Sequence, residues 1–404
     1  MNDEHSRAGE LPPHAGSSVA RLRELAALFL KLGTISFGGP AAHIAMMEAE
    51  VVRKRQWVTQ QQFLDMLGAA NLIPGPTSTE MAINMGFVRA GWAGLCVAGA
   101  SFILPAALIT GAFAWAYVRF GTMTQAVSVL AGIKAAVIAV IGIAIFHLGK
   151  TAVRGVGLAV LGAVALAAFF LGVNPLVILF GGGFLGMVVR PAASLRAAGT
   201  LFLAPLVPRR VSWSAFGIAA ATSAAVAPVV ARPSIGRIAL FFLKLGAVLY
   251  GGGYVLLAFL EQGMVQQHAW LTHQQLLDAV AIGQFTPGPV FSTATFIGYI
   301  LGGVPGAAVA TVGIFLPSFF FVGLLAPVLF RLRKSVWMAA FLDSVNVCAV
   351  ALMAGVTFRL GADALRGWPA WVIAGAALGV LLWRKVNPAW VVFGGGLAGF
   401  LLIR

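Results

Sequence analysis

The residues of this chain that are best suited to binding a ligand are two Pro-Gly-Pro sequences in apolar surroundings. They are Pro74-Gly75-Pro76, preceded by Asn71, and Pro287-Gly288-Pro289, preceded by Gln284. An interrupted helix leaves N–H groups unpaired at the start of the next helix, where they add to the positive end of the helix dipole. Such a helix start binds anions, as it does at phosphate sites. The two sequences therefore predict an oxyanion site.

A second pair of interruptions lies upstream of the first. Gly38-Gly39-Pro40 follows Phe37, and Gly251-Gly252 follows Tyr250 at the matching place. Packing kinks in membrane helices also contain glycine and proline, but two interruptions in register in each half favour a binding site. The polar side chains near the first-half interruptions join the candidate set: Ser36, His43, Asn71 and Thr77. The corresponding second-half residues are Leu249, Leu256, Gln284 and Val290, so the first half is better equipped for a ligand.

Charged residues that recur in both halves are the next candidates, because a charge inside a membrane is costly and usually functional. Lys31 and Lys244 precede the first interruptions and predict a positive field, unless their side chains extend to the membrane surface. The matched acids are candidates for proton coupling: Glu48, Asp65, Glu261 and Asp278. Local roles compete for Glu48, near Arg53–Arg55, and for Asp65, near a helix start.

The composition identifies the class of protein that must position these residues. Of 404 residues, 60% are hydrophobic and 10% are charged, with a mean hydropathy of +0.94. Soluble domains carry about a quarter charged residues, so the chain is predicted to be an all-α polytopic membrane protein. The net charge of +15 fits basic cytoplasmic loops rather than nucleic-acid binding. Cys96 and Cys348 lie in apolar runs and predict no metal site, and neither a cofactor motif nor a set of catalytic residues is recognisable.

The chain is a tandem duplication. An offset of 213 residues pairs Phe29–Gly33 with Phe242–Gly246 and each Pro-Gly-Pro sequence with the other, and an offset of 212 continues the match beyond them. The predicted organisation is a disordered tail, a first repeat, a basic linker and a second repeat, at 1–20, 21–190, 191–233 and 234–404.

Each repeat is predicted to contain five crossings and one re-entrant hairpin. Thr59-x-x-Gln62 and Thr272-x-x-Gln275 have the capping-box form that starts a helix. The helix from Gln60 to Pro74 is too short to cross, since a span needs about 20 residues, so 60–88 is predicted to enter and leave the membrane on one side. Thr77-x-x-Glu80 predicts a further capping box at the second arm of the hairpin.

Loop charges predict that the repeats have opposite orientations. Arg53–Arg55 corresponds to Gln266–His268, whereas the lone Arg119 corresponds to the basic segment Arg331–Lys334. Corresponding loops with opposite charge bias lie on opposite sides of the membrane. An inverted repeat with broken helices is the architecture of many secondary transporters, with the substrate near the bilayer midplane.

Several motifs resemble the signature of the chromate ion transporter family in its long, two-domain form. They are Ser36-Phe37-Gly38-Gly39-Pro40-x-x-His43, Trp57, Asn71-x-x-Pro74-Gly75-Pro76 and Phe102-x-x-Pro105. The resemblance implies a multi-pass carrier of the bacterial inner membrane that expels chromate, is driven by the proton gradient and confers chromate resistance. Sulfate, which is isosteric with chromate, is expected to compete. Leu249, Gly253 and Leu256 depart from the motif, which leaves open whether both halves bind substrate or one supports the other.

Three alternatives remain at this point. A sulfate or other oxyanion importer would have the same architecture. A channel would need rings of like charge, which are not evident. An intramembrane enzyme would need a nucleophile and a base within reach, and Ser101 has no evident histidine partner. The expected partners are chromate or sulfate-like oxyanions and the lipid bilayer, with a homodimer as a candidate assembly.

Overall fold

The computed structural model describes residues 17–37, 39–121, 123–197, 233–250, 255–332, 336–383 and 386–403, and within these ranges it contains helices and no strand. The predicted sites Gly38, Gly251 and Gly252, most of the predicted tail and most of the predicted linker lie outside the described residues. Helix α1 begins at Ser18, inside the predicted tail, because the Ser17 side chain accepts a hydrogen bond from the Ala20 amide and caps the helix.

The two repeats have the same order of elements. The first consists of α1 (Ser18–Ile35), α2 (Gly39–Glu48), a π-helix (Ala49–Lys54), α3 (Gln60–Ala70), α4 (Thr77–Phe120), α5 (Thr124–Ala152), α6 (Val156–Phe170) and α7 (Pro175–Ala197). The second consists of α8 (Ile235–Val248), α9 (Leu256–Leu260), a π-helix (Glu261–Gln267), α10 (His273–Phe285), a 3₁₀ turn (Val290–Ser292), α11 (Thr293–Leu332), α12 (Val336–Ala364), α13 (Trp368–Trp383) and α14 (Pro388–Leu402). Even the π-helices correspond. The prediction of an all-α, two-repeat architecture is confirmed, whereas α7 extends seven residues into the predicted linker.

Both predicted capping boxes at the hairpins are present. Thr59 Oγ1 accepts from the Gln62 amide at 3.2 Å, and Gln62 Oε1 accepts from the Thr59 amide at 2.9 Å. Thr272 and Gln275 repeat this exchange at 3.1 and 3.0 Å. These caps fix the start of α3 and α10, which end after 11 and 13 residues at the Pro-Gly-Pro interruptions.

The arm that leaves each interruption continues into a long kinked helix. Helix α4 has 44 residues, and its backbone departs from helical angles at Ala90 and Gly91. Helix α11 has 40 residues and departs from them at Gly302 and Gly303. Gly91 and Gly303 have φ of +60° and +63°, a left-handed conformation that glycine adopts without steric cost. The kink separates the short hairpin arm from the crossing segment that follows it.

Four described helices are long and apolar enough to cross a membrane, and four more apolar helices are shorter. The long ones are Thr77–Phe120, Gln125–Ala152, Val290–Leu324 and Trp337–Ala364. The shorter ones are Val156–Phe170, Pro175–Val189, Trp368–Trp383 and Pro388–Leu402. Each repeat therefore supplies two long and two shorter apolar helices, which together with α1 or α8 are the five segments predicted per repeat.

The last two helices of each repeat pack against a helix of the other repeat. Helix α5 of the first repeat packs against α13 and α14 of the second, and α12 of the second packs against α6 and α7 of the first. Small residues permit the close approach: a Cβ on Gly132 of α5 would lie 2.1 Å from the Gly395 carbonyl oxygen of α14. This reciprocal packing is what a two-fold relation between the repeats produces.

Candidate functional site

Each Pro-Gly-Pro sequence is bonded to the residue that ends the first helix of the other repeat. The Gly75 amide donates to the Leu249 carbonyl oxygen at 2.8 Å, and the Gly288 amide donates to the Ser36 carbonyl oxygen at 2.9 Å. The two bonds are equivalent, because Gly75 corresponds to Gly288 and Ser36 to Leu249. The Pro-Gly-Pro sequence of each repeat is thus hydrogen-bonded to the end of the first helix, α8 or α1, of the other repeat.

Both Pro-Gly-Pro sequences are buried. Since the Gly75 and Gly288 amides already have carbonyl partners, they hold the repeats together in this state rather than offering free donors. The amides of Thr77 and Ser78, in the first turn of α4, have no intrahelical acceptor, as at every helix start. These first-turn amides are the candidate donors for an anion.

Polar groups gather where Gly288 meets the first repeat. His43 donates from Nε2 to the Ser36 carbonyl oxygen at 3.0 Å, so this oxygen receives both the Gly288 amide and the imidazole. The His43 ring also packs edge-on against Phe102, with centroids 5.8 Å apart. The Ser36 hydroxyl is buried, and no described residue shares a hydrogen bond with it. His43 therefore orients the interruption through its backbone, and the Ser36 hydroxyl is available to a ligand.

The remaining polar candidates occupy the edges of the hairpin tips. Thr77 Oγ1 and Asn71 Oδ1 lie 3.5 Å apart across the first tip, with Asn71 exposed and Thr77 half-buried. Gln284 is half-buried, and its side-chain nitrogen is buried without a hydrogen-bond partner among the described residues.

Pro40 lies in the first turn of α2, which begins at Gly39 with φ of +80°.

Glu80 is a functional candidate that the sequence pattern assigned to the wrong role. The predicted capping box with Thr77 is absent, because the residue that caps α4 is Pro76 and the helix already starts at Thr77. Glu80 is fully buried, and neither carboxyl oxygen has a hydrogen-bond partner in the described part of the chain. It lies against the interruption: a Cβ on Gly75 would be 2.4 Å from both Glu80 Oε1 and Ser318 Oγ. A buried polar group without a partner needs an explanation, and a functional role is one.

Lys31 pairs with Glu50, an acid that has no acidic counterpart in the second repeat and is therefore not among the matched acids. Its Nζ lies 3.0 Å from Glu50 Oε1, and Lys54 and Arg55 also contact this carboxylate, at 3.0 and 3.5 Å. The hydrogen bond from Lys31, followed by that from Lys54, lowers the pKa of Glu50. The second repeat has Gly263 in place of Glu50, so among the described residues Lys244 lacks the acid that pairs with Lys31. The two matched lysines therefore differ in their electrostatic surroundings.

The four acids predicted to couple protons fall into different environments. Glu48 pairs with Arg53 at 3.1 Å, the local role that competed with coupling, and Asp65 accepts from Gln61 at 3.2 Å. Glu261 is buried, and its Oε1 lies 3.1 Å from His273 Nδ1 and 3.3 Å from the donor Gln266 Nε2.

Asp278 belongs to a buried triad that connects the repeats. Its carboxylate lies 3.1 Å from Lys134 Nζ of α5 and accepts from the Tyr117 hydroxyl of α4 at 2.8 Å. The Lys134 and Asp278 side chains are 5% and 4% exposed. Sequence reasoning missed Lys134, although a lone lysine within an apolar run was a sufficient signal.

A model of the family described as chromate transporter matches residues 23–187 and again residues 236–400. The chain belongs to the chromate transporter family. A chromate transport protein of Cupriavidus metallidurans is 33% identical over 94% of this chain and 93% of its own length. A probable chromate transport protein of Synechococcus elongatus is 32% identical over 88% of this chain and 89% of its own. The chromate transport protein of Pseudomonas aeruginosa is 31% identical over 94% and 92%. No solved structure has a significant match to this transporter.

Proposed function

We propose that this transporter is a secondary carrier, not an enzyme, that exports chromate across the bacterial inner membrane and thereby confers chromate resistance. The observation that carries the proposal is the crossed pairing of the four interruptions, in which Gly75 is fastened to Leu249 and Gly288 to Ser36. Helix starts within a membrane protein are suited to anionic groups. The relatives named as chromate transport proteins support chromate as the anion.

The membrane potential favours export of this substrate. Moving one elementary charge through 100 mV is worth about 2.3 kcal/mol, so a dianion leaving a negative interior gains roughly twice that. A carrier that alternately opens its site to each side needs no ATP-driven domain for this. The predicted inverted relation of the repeats supplies the mechanism, with one repeat rocking against the other around the paired interruptions. A sulfate importer of the same architecture is the alternative, because backbone amides select charge and shape rather than the central atom.

The first test is chromate accumulation by energised everted membrane vesicles. We expect uptake of radiolabelled chromate to saturate, to be inhibited by sulfate, and to be abolished by Pro74→Ala, which frees the backbone where the hairpin reverses. Pro369→Ala, in the first turn of α13 and outside the interruptions, is the matched control and should transport normally. Chromate uptake only by right-side-out vesicles would favour the importer, and full activity of Pro74→Ala would remove the assigned site.

We infer that Glu80 is the proton-binding group of this carrier, ahead of Glu48, Asp65, Glu261 and Asp278. An unpaired carboxylate buried in protein costs several kcal/mol, and Glu80 is the acid beside Gly75 that no described residue neutralises. Its neighbour is the Ser318 hydroxyl, which would contact the same Cβ on Gly75.

Glu80→Gln is therefore expected to retain chromate movement and lose the accompanying proton flux. The amide has the shape of the carboxyl group but cannot exchange a proton. The measurement is the internal pH of proteoliposomes during chromate transport, followed with an entrapped pH-sensitive dye. Asp363→Asn, in a surface pair with Arg366, is the control. An unchanged ratio of protons to chromate in Glu80→Gln would assign coupling to another group.

A further inference from the structure

The second repeat contains a cavity of about 350 Å³ along α8, and its lining extends to Val248, the residue before the Leu249 carbonyl group that binds Gly75. It is bounded by one face of α8, by the π-helix 261–267 and by the start of α7. The side chains that matter for its chemistry are Arg237, Lys244 and His268, with Phe241 and Trp270 as apolar walls. A volume near 350 Å³ is within the range of small-ligand sites.

The cavity has cationic groups and no acidic counterpart among its described lining residues. His268 stacks on Trp270 with ring centroids 4.6 Å apart, which fixes the imidazole at the rim. Glu261 of the adjoining π-helix is not in the lining, and its carboxylate is bonded to Gln266 and His273. A cleft with charges of one sign and apolar walls concentrates the field and attracts counter-ions.

Comparison with the first repeat shows that this charge is a specific difference between two related structures. At the position of Lys244 the first repeat has Lys31, which lies 3.0 Å from Glu50, a carboxylate that Lys54 and Arg55 also contact. At the position of Arg237 it has Glu24, which pairs with Arg89 at 3.2 Å. The second repeat replaces these two acids with Gly263 and Arg237. The cations of the first repeat are therefore paired with acids, whereas the described lining of the second-repeat cavity has cations and no acid.

Gly263 also shapes the cavity. A Cβ at this position would lie 2.6 Å from the ring of Phe241, so the aromatic ring occupies the space beside the backbone where the first repeat carries the Glu50 side chain. Glycine in place of Glu50 therefore removes a negative charge, and it leaves room for the Phe241 ring to form an apolar wall. Both changes strengthen the attraction of Lys244 for an anion.

We propose that this cavity is a second binding site for a tetrahedral oxyanion dianion, of the chromate and sulfate class, in addition to the site at the interruptions. The proposal rests on oxyanion transport as the function. Lys244 and Arg237 supply the field, and His268 with Trp270 forms the rim. Lys31 differs from Lys244 in that the Glu50 carboxylate lies 3.0 Å from its Nζ.

The kinetic test uses the full-length protein in proteoliposomes of neutral lipid, with radiolabelled chromate at low ionic strength. Lys244→Gln and Arg237→Gln should each raise KM about fivefold or more with little change in the maximal rate, because they weaken capture and leave the interruptions intact. The difference from the unsubstituted protein should shrink as salt increases. Arg366→Gln, in a surface ion pair with Asp363, is the control and should change KM less than twofold. Equal KM effects of Arg366→Gln and Lys244→Gln would overturn the proposal.

Direct binding separates this proposal from the transport function and from a lipid site. Equilibrium dialysis of detergent-purified protein with radiolabelled sulfate should show a site that Arg237→Gln/Lys244→Gln removes and Arg366→Gln retains. Loss of that site would support the proposal even if chromate transport were not observed. Sulfate binding unaffected by the double variant, or a cavity that binds dispersed phosphatidylglycerol but no sulfate, would overturn it.

Discussion

Replacing Gly75 by alanine is expected to abolish chromate transport, and the two reasons act together. Gly75 has φ of +140°, a conformation that residues with a Cβ rarely adopt. The added Cβ would also lie 2.4 Å from both Glu80 Oε1 and Ser318 Oγ. The interruption would have to shift, which breaks the 2.8 Å bond from the Gly75 amide to Leu249. Gly288→Ala should resemble it, since its Cβ would lie 2.8 Å from the Ala106 Cβ.

A matched control separates backbone strain from the contact. Gly91, also at positive φ, has open space where a Cβ would be, so Gly91→Ala carries only the cost of its backbone conformation, with φ of +60° and ψ of −147°, which is about 1–3 kcal/mol. Initial rates in vesicles, normalised to folded protein by size-exclusion chromatography, should fall to background for Gly75→Ala and remain measurable for Gly91→Ala. Normal transport by folded Gly75→Ala would show that the close packing around this glycine is dispensable.

The features of the fold that the sequence could predict are those determined by local chain chemistry. Pro-Gly-Pro interrupts a helix wherever it occurs, and a capping box starts one, so the hairpins at Thr59 and Thr272 were predictable residue by residue. Because each element occurs in both repeats, the second copy supports the prediction that was made for the first. The same logic failed at Glu80, because Thr-x-x-Glu has the form of a capping box whether or not the threonine is the N-cap residue, and the N-cap of α4 is Pro76.

The partners of the charged residues were not predictable, because they depend on packing between distant segments. Glu50 is not among the predicted acids because its counterpart is Gly263. Repetition in both halves was the signal for a functional charge, and Glu50 is present in the first repeat alone. The crossed bonds of Gly75 and Gly288 depend on how the repeats interlock, which composition and spacing do not specify. Where the two halves differ, as at Lys31 and Lys244, the structure was needed to show that identical residues have different environments.

The buried contact between Lys134 and Asp278 gives the second large expected effect. Lys134→Met would leave the Asp278 carboxylate buried with only the Tyr117 hydroxyl as a described donor. Removing one member of a buried ion pair typically costs about 3–5 kcal/mol, because the other charge is left uncompensated. We therefore expect a marked fall in the thermal midpoint of the purified protein and loss of transport.

The double variant Lys134→Met/Asp278→Asn distinguishes an unpaired charge from lost packing. The asparagine oxygen can still accept from Tyr117, and no charge remains in the triad, so the thermal midpoint should recover most of its loss. The exposed pair of Arg366 and Asp363 is the control, since breaking a surface ion pair costs only about 0–1 kcal/mol. If the double variant is no more stable than Lys134→Met, the destabilisation comes from the lost lysine packing. If it is stable but inactive, the charges of this triad are themselves required for transport, which would extend the coupling machinery from Glu80 to the contact between the repeats.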